Sequence, residues 1–164
     1  MTQNALRKDI LLHELGDGAG YFMLAFRGIA FGKTGCKCLN KFYGELFGDM
    51  GDAVLSDIFS LTASLGRCGH RKIRLAQPGC AHVTLDEVSL LSALGAAQSG
   101  QDELHRAHLR WLLVRGDAEH LIDLTSQIAG HFESIGLDIS TPELSGYTPA
   151  RQPDIGRMTL VGTA

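Results

Sequence analysis

Apolar positions recur along this chain at the three- to four-residue interval of helices packed on one side, and glycines cut the pattern into segments. A short first helix is expected over residues 6–15. Residues 21–31 are apolar on nearly every side, as in a helix enclosed by others. Leu39, Phe42, Tyr43, Leu46 and Phe47 then line one face of a third helix. Val54, Ile58, Leu61 and Leu65 line a fourth, with Asp49 or Asp52 placed to cap it. Residues 71–75 read as a brief extended piece ended by the Pro78-Gly79 turn.

The next helix start is the best marked. Thr84 can accept from the backbone N–H of Glu87, whose side chain reaches back, and Val83 and Val88 stand at the positions of a hydrophobic staple. That helix runs to a break at Ser99-Gly100. Asp102 should cap another, with Leu104, Ala107, Trp111 and Val114 as its buried stripe. Asp117 should cap the last, which buries Leu121, Ile122, Leu124, Ile128, Phe132 and Ile135 before Gly136 stops it. Beyond residue 139 no period survives. The reading is an all-α domain over 1–139, a compact bundle of six or seven helices, followed by an irregular tail over 140–164.

Composition agrees with one globular domain: 164 residues, 45% hydrophobic and 20% charged. The net charge of −3 gives no general attraction to nucleic acid. Glu119, Asp123 and Glu133 on the last helix oppose a recognition-helix reading. The N-terminus lacks the apolar core of a secretory signal, and the most apolar stretch, 21–31, is too short to span a bilayer. A cytoplasmic protein with reduced cysteines is therefore expected.

All four cysteines and two of the seven histidines fall into three dyads: Cys36-Lys-Cys38, Cys68-Gly-His70 and Cys80-Ala-His82. Thiolates and imidazoles are zinc ligands, and residues two apart share a face in extended chain but not in a helix. The flanking glycines and Pro78 place all three dyads in loops, where they could converge on one zinc. Against this, the spacing matches no strong zinc signature, and free cysteine packs as a small hydrophobe. The same dyads pair thiols with imidazoles as a thiol enzyme would, yet no oxyanion loop or carboxylate pair accompanies them, so catalysis is not the leading reading. Arg67, Arg71, Lys72 and Arg74 crowd a stretch without carboxylates and form a candidate anion or partner patch.

Other residues have plainer expectations. Arg27, inside an apolar helix, needs a carboxylate, and Glu14 or Asp17 is the expected partner. His108 is expected as a core histidine beside Trp111, and His120 and His131 as solvated surface. Gly32-Lys33-Thr34 echoes a phosphate loop, but Arg27 stands where the upstream glycine belongs and no strand precedes it.

One resemblance is carried by Cys36-Lys-Cys38 with Phe42 and Leu46-Phe47-Gly48, Gly51 with Val54-Leu55, and Arg71-Lys-Ile-Arg-Leu75 with Pro78-Gly79. Asp86-Glu87, Leu90-Leu91, Ala96-Ala97-Gln98-Ser-Gly100 and Leu109-Arg110-Trp111-Leu112 complete it. Across residues 36–137 the chain resembles small helical proteobacterial proteins of no established activity. The resemblance implies a helical fold in a bacterial cytoplasm and transfers no catalytic residue. The function expected is a binding or regulatory module built around the dyads and the basic patch, with or without zinc. The alternatives are a metal-free interaction domain, in which helices 21–31 and 85–97 meet a homodimer or protein partner, and a thiol enzyme.

Overall fold

The structure, a computed structural model, describes residues 10–68, 72–114, 118–139 and 160–161, and of Cys68, Leu160 and Val161 the backbone alone. The fold is all-α. The helices are α1 (Asp17–Ala30), α2 (Lys37–Phe47), α3 (Gly51–Cys68), α4 (Leu85–Gln98), α5 (Asp102–Leu113) and α6 (Glu119–Ser134). α4 lies against both α5 and α6, while α3 packs on α1, α2 and α6. This central position explains why α4 is buried on several sides, from Asp86 through Leu91 and again at Ala93, Leu94 and Ala96.

Local signals set one helix start and three helix ends. Thr84 caps α4 by accepting from the Glu87 amide at 3.2 Å, and the Glu87 carboxylate accepts from the Thr84 amide at 2.9 Å. Three helices stop by one device. After α1, α4 and α6 come Gly32, Gly100 and Gly136 with φ of 81°, 70° and 76°. In each case the amides that follow turn back onto carbonyls of the last turn, as in Leu137 to Phe132 at 3.0 Å.

Gly51 has another role. A Cβ there would lie 2.7 Å from the Tyr43 carbonyl oxygen, so only glycine lets α3 start hard against the backbone of α2. The core of this half is aromatic: Phe22 stacks on Phe26, Tyr43 stacks on Phe47, and Phe132 meets Phe22 and Phe47 edge-on. The Tyr43 hydroxyl donates to the Tyr21 carbonyl at 2.7 Å, and burial pushes the phenol well above its ordinary pKa.

Several expectations are corrected. The described part of the first helix is a 3-10 turn, Leu12–Leu15, and Leu11 is extended, bridging antiparallel to His82. Asp102 is the first residue of α5 rather than its cap; Gln101 holds that position, and Asp102 acts on the helix dipole instead. Asp117 lies outside the described residues. Ile135 is 37% exposed at the end of α6.

The largest correction concerns α5. It buries His105, Leu109, Leu112 and Leu113, leaving Leu104 45% and Val114 42% exposed. Either stripe satisfies the helical period; the buried one places three leucines, Leu109, Leu112 and Leu113, in the core, and Thr125 on α6 gives His105 a partner there. The expected brief extended piece appears as β1 (Ile73–Arg74). It pairs in parallel with β2 (Leu160–Val161), so these two tail residues have regular structure. A strand edge offers unpaired amides and carbonyls, which is why a distant segment can add to it. No helix among the described residues is long and apolar enough to cross a membrane.

Candidate functional site

Arg27 and Glu87 form the polar centre of the molecule. Both side chains are buried, at 2% and 0% exposure, and the guanidinium grips the carboxylate with two parallel bonds, Nε to Oε1 and Nη2 to Oε2, each 2.8 Å. The rest of each group binds backbone. Arg27 donates through Nη1 to the Cys80 carbonyl and through Nη2 to that of His82, both at 2.8 Å. Glu87 accepts from the amides of Ala76 at 3.0 Å and Thr84 at 2.9 Å. Four donors thus meet the roughly four acceptor positions of one carboxylate.

The pair fastens the connection between β1 and α4. Asp86 adds a bond to the Arg74 amide at 2.7 Å, and the Thr84 hydroxyl donates to the Arg74 carbonyl at 2.6 Å. On its other edge the connection meets the N-terminal segment, Leu12 N to Ala81 O at 2.8 Å and Val83 N to Ile10 O at 2.9 Å. Alternate carbonyls therefore point to Arg27 and to the N-terminal segment, as in a strand.

The expected partners of Arg27 are corrected: Glu14 is exposed and accepts from the Leu11 amide instead, and Asp17 is exposed at the start of α1. One signal for Glu87 was present. It is a carboxylate in an apolar helix, matching a guanidinium in another.

The three dyads have three different settings. Cys36 is the N-cap of α2 and Cys38 its second residue, so this dyad straddles a helix start rather than lying in a loop. Cys68 is the last residue of α3, with its side chain and His70 outside the described residues. Cys80 and His82 are extended, as expected, but it is their carbonyls that have a structural task. Among the described residues no three or more His, Cys, Asp or Glu side chains gather as a metal site requires. Cys36 and Cys38 therefore do not share a site with Cys80 and His82. Arg67 is exposed on the last turn of α3, and Lys72 and Arg74 are exposed on either side of buried Ile73, while Arg71 lies outside the described residues.

Beside the first dyad lies a cleft of about 250 Å³, formed by the α1–α2 loop, the start of α2 and the first half of α3. Its apolar wall is Ile29, Leu39, Leu55 and Phe59, and its rim carries Lys33, Thr34, Asn40, Asp52 and Ser56. Phe59 is 50% exposed, an uncommon position for a phenyl ring that nothing covers. Cys36 stands a few residues before the two α2 residues that line the cleft, Leu39 in its wall and Asn40 on its rim. The amide of Leu39, then that of Cys38, then the Cys38 thiol and the Lys33 ammonium hold its thiol below the usual range, while desolvation opposes them.

The histidines divide differently from expectation. His105 is the core histidine, with Nε2 2.6 Å from the Thr125 hydroxyl. That hydroxyl also lies 2.6 Å from the Leu121 carbonyl; with its one proton directed there, Nε2 of His105 is the donor. Burial lowers the pKa of His105, opposed by Asp102. His108 is half-buried, its Nδ1 3.2 Å from the Ser89 hydroxyl rather than bonded to a carbonyl, and burial lowers its pKa too. His131 is no solvated residue, because its Nε2 lies 3.1 Å from Asp57 of α3.

Comparison with known proteins adds no relative: no protein family, no curated protein and no solved structure matches this chain.

Proposed function

We propose that this chain is a small non-enzymatic binding module of the bacterial cytoplasm, whose ligand occupies the cleft between the α1–α2 loop and α3. The half-exposed Phe59 facing Lys33, Asn40 and Asp52 carries the reading. An apolar wall with a few polar groups on its rim is the pattern of small-molecule sites. A volume near 250 Å³ is just under the range for drug-sized ligands, so the ligand is small, with an apolar body and one polar end.

Amide chemical-shift mapping with indole, hexanoate and hexylamine tests this. At probe concentrations on the order of 10 mM, suited to weak binding, shifts should cluster at residues 33–40 and 52–59. Ser56→Trp, which fills the cleft from an exposed position, should abolish them, and Leu24→Ser, on the exposed face of α1, should not. Shifts absent from both segments, or unaffected by Ser56→Trp, would end the proposal.

A second reading is a protein-interaction domain that uses α5. The apolar surfaces of α1 and α4, expected to meet a partner, are largely enclosed by the chain's own core, whereas α5 keeps Leu104 and Val114 exposed. Sedimentation of the pure protein tests self-association through this face, which Leu104→Glu should abolish. A monomer at every concentration would remove the homodimer.

A further inference from the structure

The Cys36 and Cys38 thiols flank the first turn of α2, and the next two residues, Leu39 and Asn40, line the cleft. We propose that Cys36 and Cys38 form a reversible dithiol–disulfide pair that controls the first turn of α2 and, through Leu39 and Asn40, the shape of the cleft. The second half of this statement rests on the binding role of the cleft; the first does not.

The pair is accessible, with Cys36 half-buried and Cys38 exposed. Residues two apart have Cα atoms about 5.5–7 Å apart, overlapping the span a disulfide bridges. Cys36 is extended, with φ −60° and ψ 118°, while Cys38 is helical. The Cys38 thiol already reaches the Cys36 thiol across the helix start, and joining the two sulfurs at covalent distance pulls on the first turn. The bond from the Asn40 amide to the Cys36 carbonyl, 3.0 Å, is the backbone contact that this pull loads. An exposed disulfide that strains a helix start is easily reduced, which suits a switch and not a permanent staple.

The chemistry balances with a low-molecular-weight disulfide such as oxidised glutathione. The Cys36 thiolate, favoured by the amides at the helix start, attacks one sulfur of the oxidant and expels a glutathione thiolate, leaving a mixed disulfide. The Cys38 thiolate then attacks the Cys36 sulfur and expels the second glutathione. Two protein thiols lose two electrons and two protons, and one glutathione disulfide becomes two thiols.

The full chain, and a variant with Cys68 and Cys80 changed to serine, would be equilibrated over a series of reduced to oxidised glutathione ratios. After quenching with a maleimide, peptide masses are read. The peptide holding Cys36 and Cys38 should lose two hydrogens and take up no label under oxidising ratios. Cys38→Ser should stop at a glutathione adduct on Cys36, and Cys36→Ser at one on Cys38, with neither variant closing a disulfide. Two cysteines that label independently at every ratio would overturn the pair.

Amide exchange and the hexanoate titration then read the consequence. The oxidised form should lose protection at Asn40 and lose hexanoate-induced shifts at residues 33–40. A closed disulfide with both unchanged overturns the coupling. Hexanoate binding absent in both redox states refutes the cleft and leaves the disulfide pair standing.

Discussion

Replacing Glu87 by glutamine alters little of the shape of the Arg27 site and removes one charge. The consequence can be worked from the contacts. The carboxylate now accepts four N–H donors: Nε and Nη2 of Arg27 and the amides of Ala76 and Thr84. A glutamine amide turns one of its two arms into a donor, so one pair of these contacts becomes donor against donor. The guanidinium at the same time loses its counter-charge at 2% exposure. Breaking a buried ion pair from one side costs about 3–5 kcal/mol, roughly a fifth or more of a stability that is typically about 5–15 kcal/mol.

Urea unfolding followed by far-ultraviolet circular dichroism measures the change. Thr84→Ala, which removes a cap worth about 1 kcal/mol, sets the scale for a local loss. Arg27→Met, Glu87→Met and the double variant complete a cycle. Once both charges are gone, what is left unpaired is neutral backbone at Ala76, Cys80, His82 and Thr84. The double variant should therefore lose less than the sum of the singles, with a coupling of about 2 kcal/mol or more. A loss below about 1 kcal/mol for Glu87→Gln, or single losses that simply add, would refute this reading of the pair.

Further consequences are open to the same measurement. Gly51→Ala places a methyl group against the backbone of α2 and should destabilise by about 1–3 kcal/mol, visible as a lower urea midpoint. The Gln98 side chain donates to the carbonyls of Ala129 and Leu137 and accepts from the Ile139 amide. Gln98→Ala should cost about 1–3 kcal/mol and raise amide exchange at Ile139. Because the folded pKa of His105 lies below its ordinary value, the unfolded chain binds the proton more readily. The stability this neutral histidine contributes is present above about pH 6.5 and falls as pH drops through the folded pKa. His105→Gln, which keeps a donor for Thr125 without titrating, should flatten that acid-side loss. An unchanged pH profile would show that His105 is not its source.

How much of this was legible depends on the range of the interaction that decides each feature. The Thr84 and Glu87 capping box and the stops at Gly100 and Gly136 involve residues within about one or two helical turns of one another, and the stripe from Leu121 to Phe132 repeats about once per turn. They can be read off a single chain because backbone and side chain meet there whatever the rest of the protein does. The partner of Arg27 is 60 residues away, and its burial favoured Glu87 over the nearer Glu14 and Asp17, which stay in water. The cleft was not legible at all, since its walls come from three helices and a loop that only packing brings together.

Helical character, the start of α4 and the stops at Gly100 and Gly136 follow from the residues alone, as does the need of a guanidinium inside an apolar segment for a carboxylate. Tertiary structure alone decided which carboxylate, which of two apolar stripes on α5 would be buried, and that Cys36 and Cys38 would stand at a helix start, apart from Cys80 and His82. The physical reason is that caps and periodicity express local backbone geometry. Burial and ion pairing depend on which surfaces meet, and a sequence with two acceptable faces or several acceptable partners does not contain that choice in any one of its segments.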